Sequence, residues 1–366
     1  MALKDLIKSM KKNLKDDYVF LEEDGSIDDV TTFIPSGCTA LDYRMTNRRD
    51  GGYPVGKIIE IAGMPASGKS LLAAHACANA QKMGGLCIYL DPECAFGDDY
   101  ARRIGLDVDA ESFWRPQPPP PSVEAVFSFL FDLSKQIEEA KKKKEWNYNF
   151  VLVVWDSVAA TPSQLDLTEE NPDPGATMGL KPRIISKNLT TFLSMAAKRD
   201  ICLLCLNQLR NIMKVMPGQD PFISPGGNAI PFLASVRLRV KSIGKLKIDE
   251  EVIGVKTEVT VQKTRFGPPF GKTTFPIYFT HGVDDTESII DTLESRKAVT
   301  TFNAGSKGKM IQLEGQKKED AVKKSEFKQQ FIKDQAFRNT ILDIFEKTMT
   351  KDLADPRFTD AEISNE

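Results

Sequence analysis

The stretch Gly63-Met64-Pro65-Ala66-Ser67-Gly68-Lys69-Ser70 sets two glycines four residues apart and follows them with Lys and Ser. This is the pattern of a phosphate-binding loop, in which glycines let the backbone close around phosphate oxygens. Its flanks agree with that reading. Lys57-Ile-Ile-Glu-Ile-Ala62 is a short apolar run that predicts a buried strand, and Leu71 to Ala80 is Ala-rich with high helix propensity. Strand, glycine loop and helix in this order aim backbone amides and a helix N-terminus at an anion. Gly63, Pro65, Ala66, Ser67, Gly68, Lys69, Ser70 and Leu71 are therefore the candidate nucleotide-binding residues. Lys69 would reach the β- and γ-phosphates, and the Ser70 hydroxyl would bind Mg²⁺.

A chain of 366 residues accommodates one large domain and a smaller one. No apolar run approaches the ~18 residues of a membrane span, and the amphipathic N-terminus is unlike a signal peptide. A cytoplasmic protein is expected. Net charge is −2, so bulk attraction to nucleic acid is excluded, but the distribution is uneven. Lys181 to Lys245 holds 11 Lys+Arg against 2 Asp+Glu, whereas Asp352 to Glu366 holds 1 against 5. A basic middle permits local nucleic-acid binding. Cys202 and Cys205 form a C-x-x-C, but inside an apolar run that predicts a strand with the two thiols on opposite faces.

Leu3, Leu6, Ile7, Met10 and Leu14 fall on one helical stripe, predicting a short N-terminal helix that needs a packing surface. Apolar runs at 86–91, 150–156 and 201–207 predict three further buried strands, with helices expected at 95–104, 123–144 and 182–198. Proline and glycine mark loops at 166–179 and 209–227. Strands are expected at 232–243, 252–262 and 273–279. The pattern predicts an α/β fold with a mainly parallel sheet, extended by hairpin strands at one edge. After Gly282 a helix (284–296), two short strands (299–302, 309–313) and two helices (317–332, 334–349) predict a small C-terminal α+β domain. The division expected is 1–31, 32–282, 283–351 and an acidic tail at 352–366. Pro118 to Pro121 is expected to be a stiff surface spacer.

In open α/β sheets, ligands sit at the carboxyl ends of the strands. Here those ends carry Glu93, Asp156 and Gln208. Asp156 suits the second Mg²⁺ position, Glu93 suits a general base for the attacking water, and Gln208 suits a γ-phosphate contact.

From about Ser36 to Phe279 the chain resembles bacterial RecA-type recombinases. The likeness rests on Gly63–Ser70, Asp91-Pro-Glu93 with Tyr100-Ala-Arg102, Trp155-Asp-Ser-Val-Ala-Ala160 and Met178-Gly-Leu180. It continues in Leu206-Asn-Gln-Leu-Arg210, Gly226-Gly-Asn-Ala229 and Ala234-Ser-Val-Arg-Leu238. The resemblance implies a P-loop RecA-like ATPase core that binds ATP with Mg²⁺ through Lys69, Ser70 and Asp156. It also implies hydrolysis by Glu93 and adenine stacking on Tyr100. Where the family has Asp three residues before that tyrosine this chain has Gly97, with Asp98 and Asp99 as nearby substitutes. The family's paired lysines, which reach a neighbouring subunit's γ-phosphate, align with Lys263 and Arg265.

By the same resemblance, loops at about 170–178 and 209–225 would hold DNA. Arg183, Ser186, Arg210, Gly226, Gly227 and Asn228 would contact phosphates, with Met178 and Met213 or Val215 wedging between bases. Thr190 stands where the family usually has Arg. The implied protein is a DNA-dependent ATPase that forms a homo-oligomeric helical filament on single-stranded DNA and exchanges strands with double-stranded DNA. Its place would be the bacterial cytoplasm, or the host's for a phage-encoded member. A ring-shaped helicase with the same core and a nucleotide-gated DNA-coating protein are the alternative readings.

Overall fold

The structure is a computed structural model that describes residues 30–168, 179–211, 222–223 and 226–351. The expected N-terminal helix and acidic tail lie outside the described residues, as do Met178, Met213 and Val215.

Sixteen strands are described. β1 (Phe33–Ile34) pairs with β2 (Tyr53–Pro54). β3 (Ile58–Gly63), β4 (Leu86–Leu90), β5 (Phe113–Trp114), β6 (Val151–Asp156) and β7 (Ile201–Gln208) are core strands. β8 (Arg210–Asn211) pairs with β9 (Phe222–Ile223). β10 (Val236–Ile248), β11 (Glu251–Thr264), β12 (Lys272–Tyr278) and β13 (Gly282–Val283) complete a nine-stranded sheet of order β13-β12-β11-β10-β3-β7-β6-β4-β5. From β10 to β5 neighbouring strands are parallel, and β11 to β13 are antiparallel. The sheet is therefore mainly parallel with hairpin strands at one edge, as the sequence pattern predicts.

Core strands such as Val151-Leu-Val-Val-Trp155 are apolar throughout because helices cover both faces. One face packs Ile59, Ile61, Leu204 and Leu206 against the helix Lys69–Lys82. The other packs Ile58, Leu203, Val153 and Trp155 against the helices Val123–Lys143 and Leu180–Lys198. Cys202 falls in the first cluster and Cys205 in the second, both fully buried, so this C-x-x-C is two packed thiols.

Three elements start three or more residues later than the sequence expectation. The helix expected from Ala95 starts at Asp98, because the Asp91 carboxylate accepts from the amides of Ala95 and Phe96 and holds them in a turn. The strand expected from Phe232 starts at Val236, after a short helix Ala229–Leu233. The helix expected from 317 is Lys324–Lys333, preceded by a 3₁₀ turn at Lys318–Asp320 and a third short strand, β16 (Val322–Lys323).

The helix Asp285–Ser295 opens the C-terminal segment, capped by the Asp284 side chain, which accepts from the Glu287 amide at 3.0 Å. β14 (Val299–Asn303) and β15 (Lys309–Leu313) join β16 in an antiparallel sheet, and the helices Lys324–Lys333 and Gln335–Lys351 follow. Its apolar side chains join the main core, with Phe345 edge-on to Tyr43 at 5.8 Å. Asp285 accepts from the amide and hydroxyl of Thr39.

One contact links the helix Lys69–Lys82 to the start of this segment. The His75 Nε2 accepts from the Val283 amide at 3.0 Å, and burial pushes the imidazole pKa down to about 4. Well above pH 6.5 the ring is neutral both folded and unfolded. As pH falls from 6.5 toward 4, only the unfolded chain takes up the proton, so stability is lost across that window, by roughly 3 kcal/mol at most. Unfolding of the His75→Gln variant in urea between pH 4 and 7 is expected to lack this contribution. Gly282 has φ +80, and a Cβ there would lie 2.1 Å from His75 Nε2. Gly282→Ala is expected to lose roughly 2 kcal/mol or more of stability, measured by denaturant unfolding at pH 7.

Candidate functional site

The register of the parallel strands builds the site. Gly63 is opposite Gln208 across β3 and β7, and Asp156 is opposite Leu206 across β6 and β7. The loop after β3, the ends of β6 and β7 and the segment after β4 therefore open on one cleft of about 560 Å³. It is lined by Pro65, Ala66, Lys69, Ser70, Leu71, Tyr100, Glu93, Asp156 and Gln208, so most of the expected nucleotide residues converge. Gly63 passes under the carbonyl of Val240, where a Cβ would come within 2.4 Å, and Gly68 enters the helix with φ +101.

Lys69 is largely buried. Its ammonium donates to the carbonyls of Gly63 (3.1 Å) and Met64 (2.9 Å), pinning the loop to itself. Burial lowers its pKa, and the nearby carboxylates of Asp156 and Glu93 oppose that shift. Asp156 is pushed the other way: burial raises its pKa, while hydrogen bonds from Ser70 and Tyr89 hold it down. The Tyr89 hydroxyl donates to Asp156 Oδ2 at 2.7 Å. Asp156 and Ser70 thus present a carboxylate and a hydroxyl side by side, a hard-oxygen pair that fits Mg²⁺. Glu93 is exposed, and its Oε1 accepts from Ser157 Oγ at 2.8 Å and from Gln208 Nε2 at 3.1 Å.

Tyr89 and Ser157 are site residues that sequence reasoning missed. Each is local to an expected strand or motif, yet its partner lies 67 or 64 positions away. Neither expected substitute for an acid at position 97 faces the cleft. Asp98 is paired with Arg115 at 3.1 Å, Asp99 is 94% exposed, and neither lines the cavity.

Lys263 and Arg265 do not join this cleft. Lys263 is opposite Arg237, which is opposite Glu60, three residues before Gly63. Two strand spacings across and three residues back put its backbone about 14 Å from Gly63. Its ammonium donates to the carbonyls of Phe232 (2.7 Å) and Pro231 (3.3 Å), and burial and then Arg265 and Arg237 lower its pKa. Behind it, fully buried Glu60 accepts from Arg237 Nε at 2.7 Å and Asn207 Nδ2 at 3.2 Å.

The candidate DNA contacts that are described gather at one end of the helix Leu180–Lys198. Arg183, Ser186 and Thr190 are all exposed, and their spacing puts them on one face. Gly226 and Gly227 pack closely on Ile185 and Pro182 of the same helix. Arg210 and Asn228 are exposed. Lys181 donates to the carbonyls of Thr161 (2.6 Å) and Ala159 (3.1 Å), and Arg210 is near enough to lower its pKa, after burial as the main cause. This ties the helix to the turn that follows Asp156. Among the described residues no helix is long and apolar enough to cross a membrane.

Residues 1–284 match the family profile described as the RecA N-terminal domain. The chain is also similar to curated proteins named Protein RecA. That of Bacteroides thetaiotaomicron is 35% identical over 290 residues, 79% of this chain and 81% of the relative. That of Geobacter sulfurreducens is 35% identical over 74% of each chain, and that of Chlorobaculum parvum 34% identical over 87% of this chain and 83% of its own. With a profile spanning residues 1–284 of 366 and relatives aligned along most of both chains, this protein belongs to the RecA family.

Proposed function

We propose that this chain is a DNA-dependent ATPase that forms helical filaments on single-stranded DNA and catalyses homologous pairing and strand exchange in recombination and repair. Membership of the RecA family supports the activity, and the convergence of Lys69, Glu93, Asp156 and Gln208 on one cleft is the observation that carries the mechanism. The protein binds and hydrolyses ATP. Lys69 holds the β- and γ-phosphates, the loop amides cradle them, and Tyr100 stacks on the base. Ser70 and Asp156 hold Mg²⁺, which, when bound, neutralises phosphate charge. Glu93 Oε1 takes the proton of the attacking water, and Ser157 keeps that carboxylate aimed. Gln208 touches both Glu93 and the γ-phosphate region, so it reports the phosphate to the loop beyond β7.

Lys263 and Arg265 serve the neighbouring subunit's nucleotide. Their position outside the chain's own cleft, with the Lys263 backbone about 14 Å from Gly63, supports this reading, and a head-to-tail contact of that kind propagates as a filament. Arg183, Ser186, Arg210, Gly226, Gly227 and Asn228, with Met178 and Met213, hold the DNA. Contacts to phosphate carry no base code, so binding falls with salt and is nearly indifferent to sequence. Residues 1–31 pack on the adjacent subunit, 32–282 form the ATPase core and 283–351 form a domain that gates duplex DNA. The protein acts in the cytoplasm.

Glu93→Gln is expected to bind ATP and to slow turnover by about 10²-fold or more, leaving persistent filaments. ATPase and filament-lifetime assays with single-stranded DNA test this, and normal turnover would remove Glu93 as the base. Lys263→Ala is expected to retain nucleotide binding by isolated subunits while losing cooperative assembly. DNA-binding isotherms should change from sigmoidal to hyperbolic, and an unchanged isotherm would sink the assignment across subunits.

A further inference from the structure

Alternation along β4 sends Cys87 and Tyr89 to the face covered by the helix Lys69–Lys82, and Ile88 and Leu90 to the other. Tyr89 is opposite Val154 on β6, and Asp156 follows two residues later on the same face. The phenol therefore reaches Asp156 from the neighbouring strand and donates to Oδ2 at 2.7 Å. An ionised carboxylate can only accept, so the direction of this bond is fixed.

The ring that carries this hydroxyl is itself anchored. Tyr89 is fully buried, and its ring centre lies 4.5 Å from that of Phe96, which lies 5.7 Å from that of Phe113. Phe96 is held in turn, because its amide donates to Asp91 and its carbonyl accepts from Arg115. The hydroxyl is thus a donor at the end of a rigid arm planted in the core. Asp156, by contrast, is a short side chain at the last position of β6, held by hydrogen bonds from Tyr89 and Ser70. With Oδ2 taken by the phenol, Oδ1 is the oxygen left to share with a cation beside the Ser70 hydroxyl. A carboxylate aimed before the cation arrives loses less freedom on binding it than one that must first be fixed.

We propose that Tyr89 is a positioning residue that sets the affinity of this cleft for Mg²⁺, its hydroxyl holding the Asp156 carboxylate in the orientation that shares the cation with Ser70. This inference rests on the reading of Ser70 and Asp156 as the Mg²⁺ pair and adds the group that aims them.

Tyr89→Phe keeps the ring and removes only the hydroxyl, so it tests the proposal in the full chain. Binding of a fluorescent, non-hydrolysable ATP analogue is followed in a Mg²⁺ titration and again in EDTA. The Mg²⁺ concentration at half-maximal binding is expected to rise about tenfold, with the affinity in EDTA unchanged. Turnover of ATP is expected to fall at low Mg²⁺ and to return to that of the natural chain at saturating Mg²⁺, a rescue that a merely structural role for Tyr89 would not give. Ser157→Ala removes a hydroxyl from beside the same cleft, but one that touches Glu93. It is expected to lower turnover at every Mg²⁺ concentration and to leave the Mg²⁺ midpoint of binding unmoved. An unchanged midpoint in Tyr89→Phe, equal weakening with and without metal, or turnover that saturating Mg²⁺ fails to restore overturns the proposal and leaves the Mg²⁺ pair standing. Asp156→Asn separates the two: it should lose the Mg²⁺ dependence of binding, and a natural midpoint there would overturn the Mg²⁺ pair along with the role of Tyr89.

Discussion

The parallel pairing of β3 with β7, and of β7 with β6, is the constraint on which the rest depends. It brings Gly63 beside Gln208 and Asp156 beside Leu206. Because parallel strands end together on one edge, three loops far apart in the chain open on a common cleft. Asp156 and Lys69 are costly to bury, and polar neighbours hold each of them. Asp156 is held by Tyr89 and Ser70, Lys69 by loop carbonyls, and Glu93 by Ser157 and Gln208. The opposing pKa shifts of Asp156 and Lys69 have one cause, desolvation, acting on opposite charges.

A second buried charge sits on the other face of the same strands. Glu60 is enclosed in the sheet and matched by Arg237 and Asn207. Arg237 is in turn the cross-strand neighbour of Lys263. Removing one member would leave a buried charge without compensation, a change worth several kcal/mol in such settings. The Glu60–Arg237 pair thus ties β3 to β10 by charge as well as by backbone pairing.

Much of this was legible in the sequence. The phosphate loop announces itself because its glycines, lysine and serine are contiguous. Asp156 and Gln208 stand out because each ends an apolar run, where a polar residue needs a reason. What stayed hidden depends on distant partners. Nothing near Tyr89 marks it as the support of Asp156, and Glu60 reads as a stray charge until Arg237, 177 positions later, is placed against it. The misplaced start of the helix at 98 has the same origin, since the Asp91 side chain competes for amides that local propensity would give to a helix. The C-terminal elements were foreseen in kind. Their fusion with the main core through Phe345 and Tyr43 was not, because periodicity says which face is apolar but not what it meets.

Asn207 and Gln208 are consecutive, so their side chains leave β7 on opposite faces. One amide touches Glu93, and the other touches the ion pair that adjoins Lys263. The end of β7 therefore places one amide on each face of the sheet, so any displacement of this dipeptide disturbs the Glu93 contact and the Glu60–Arg237 pair together.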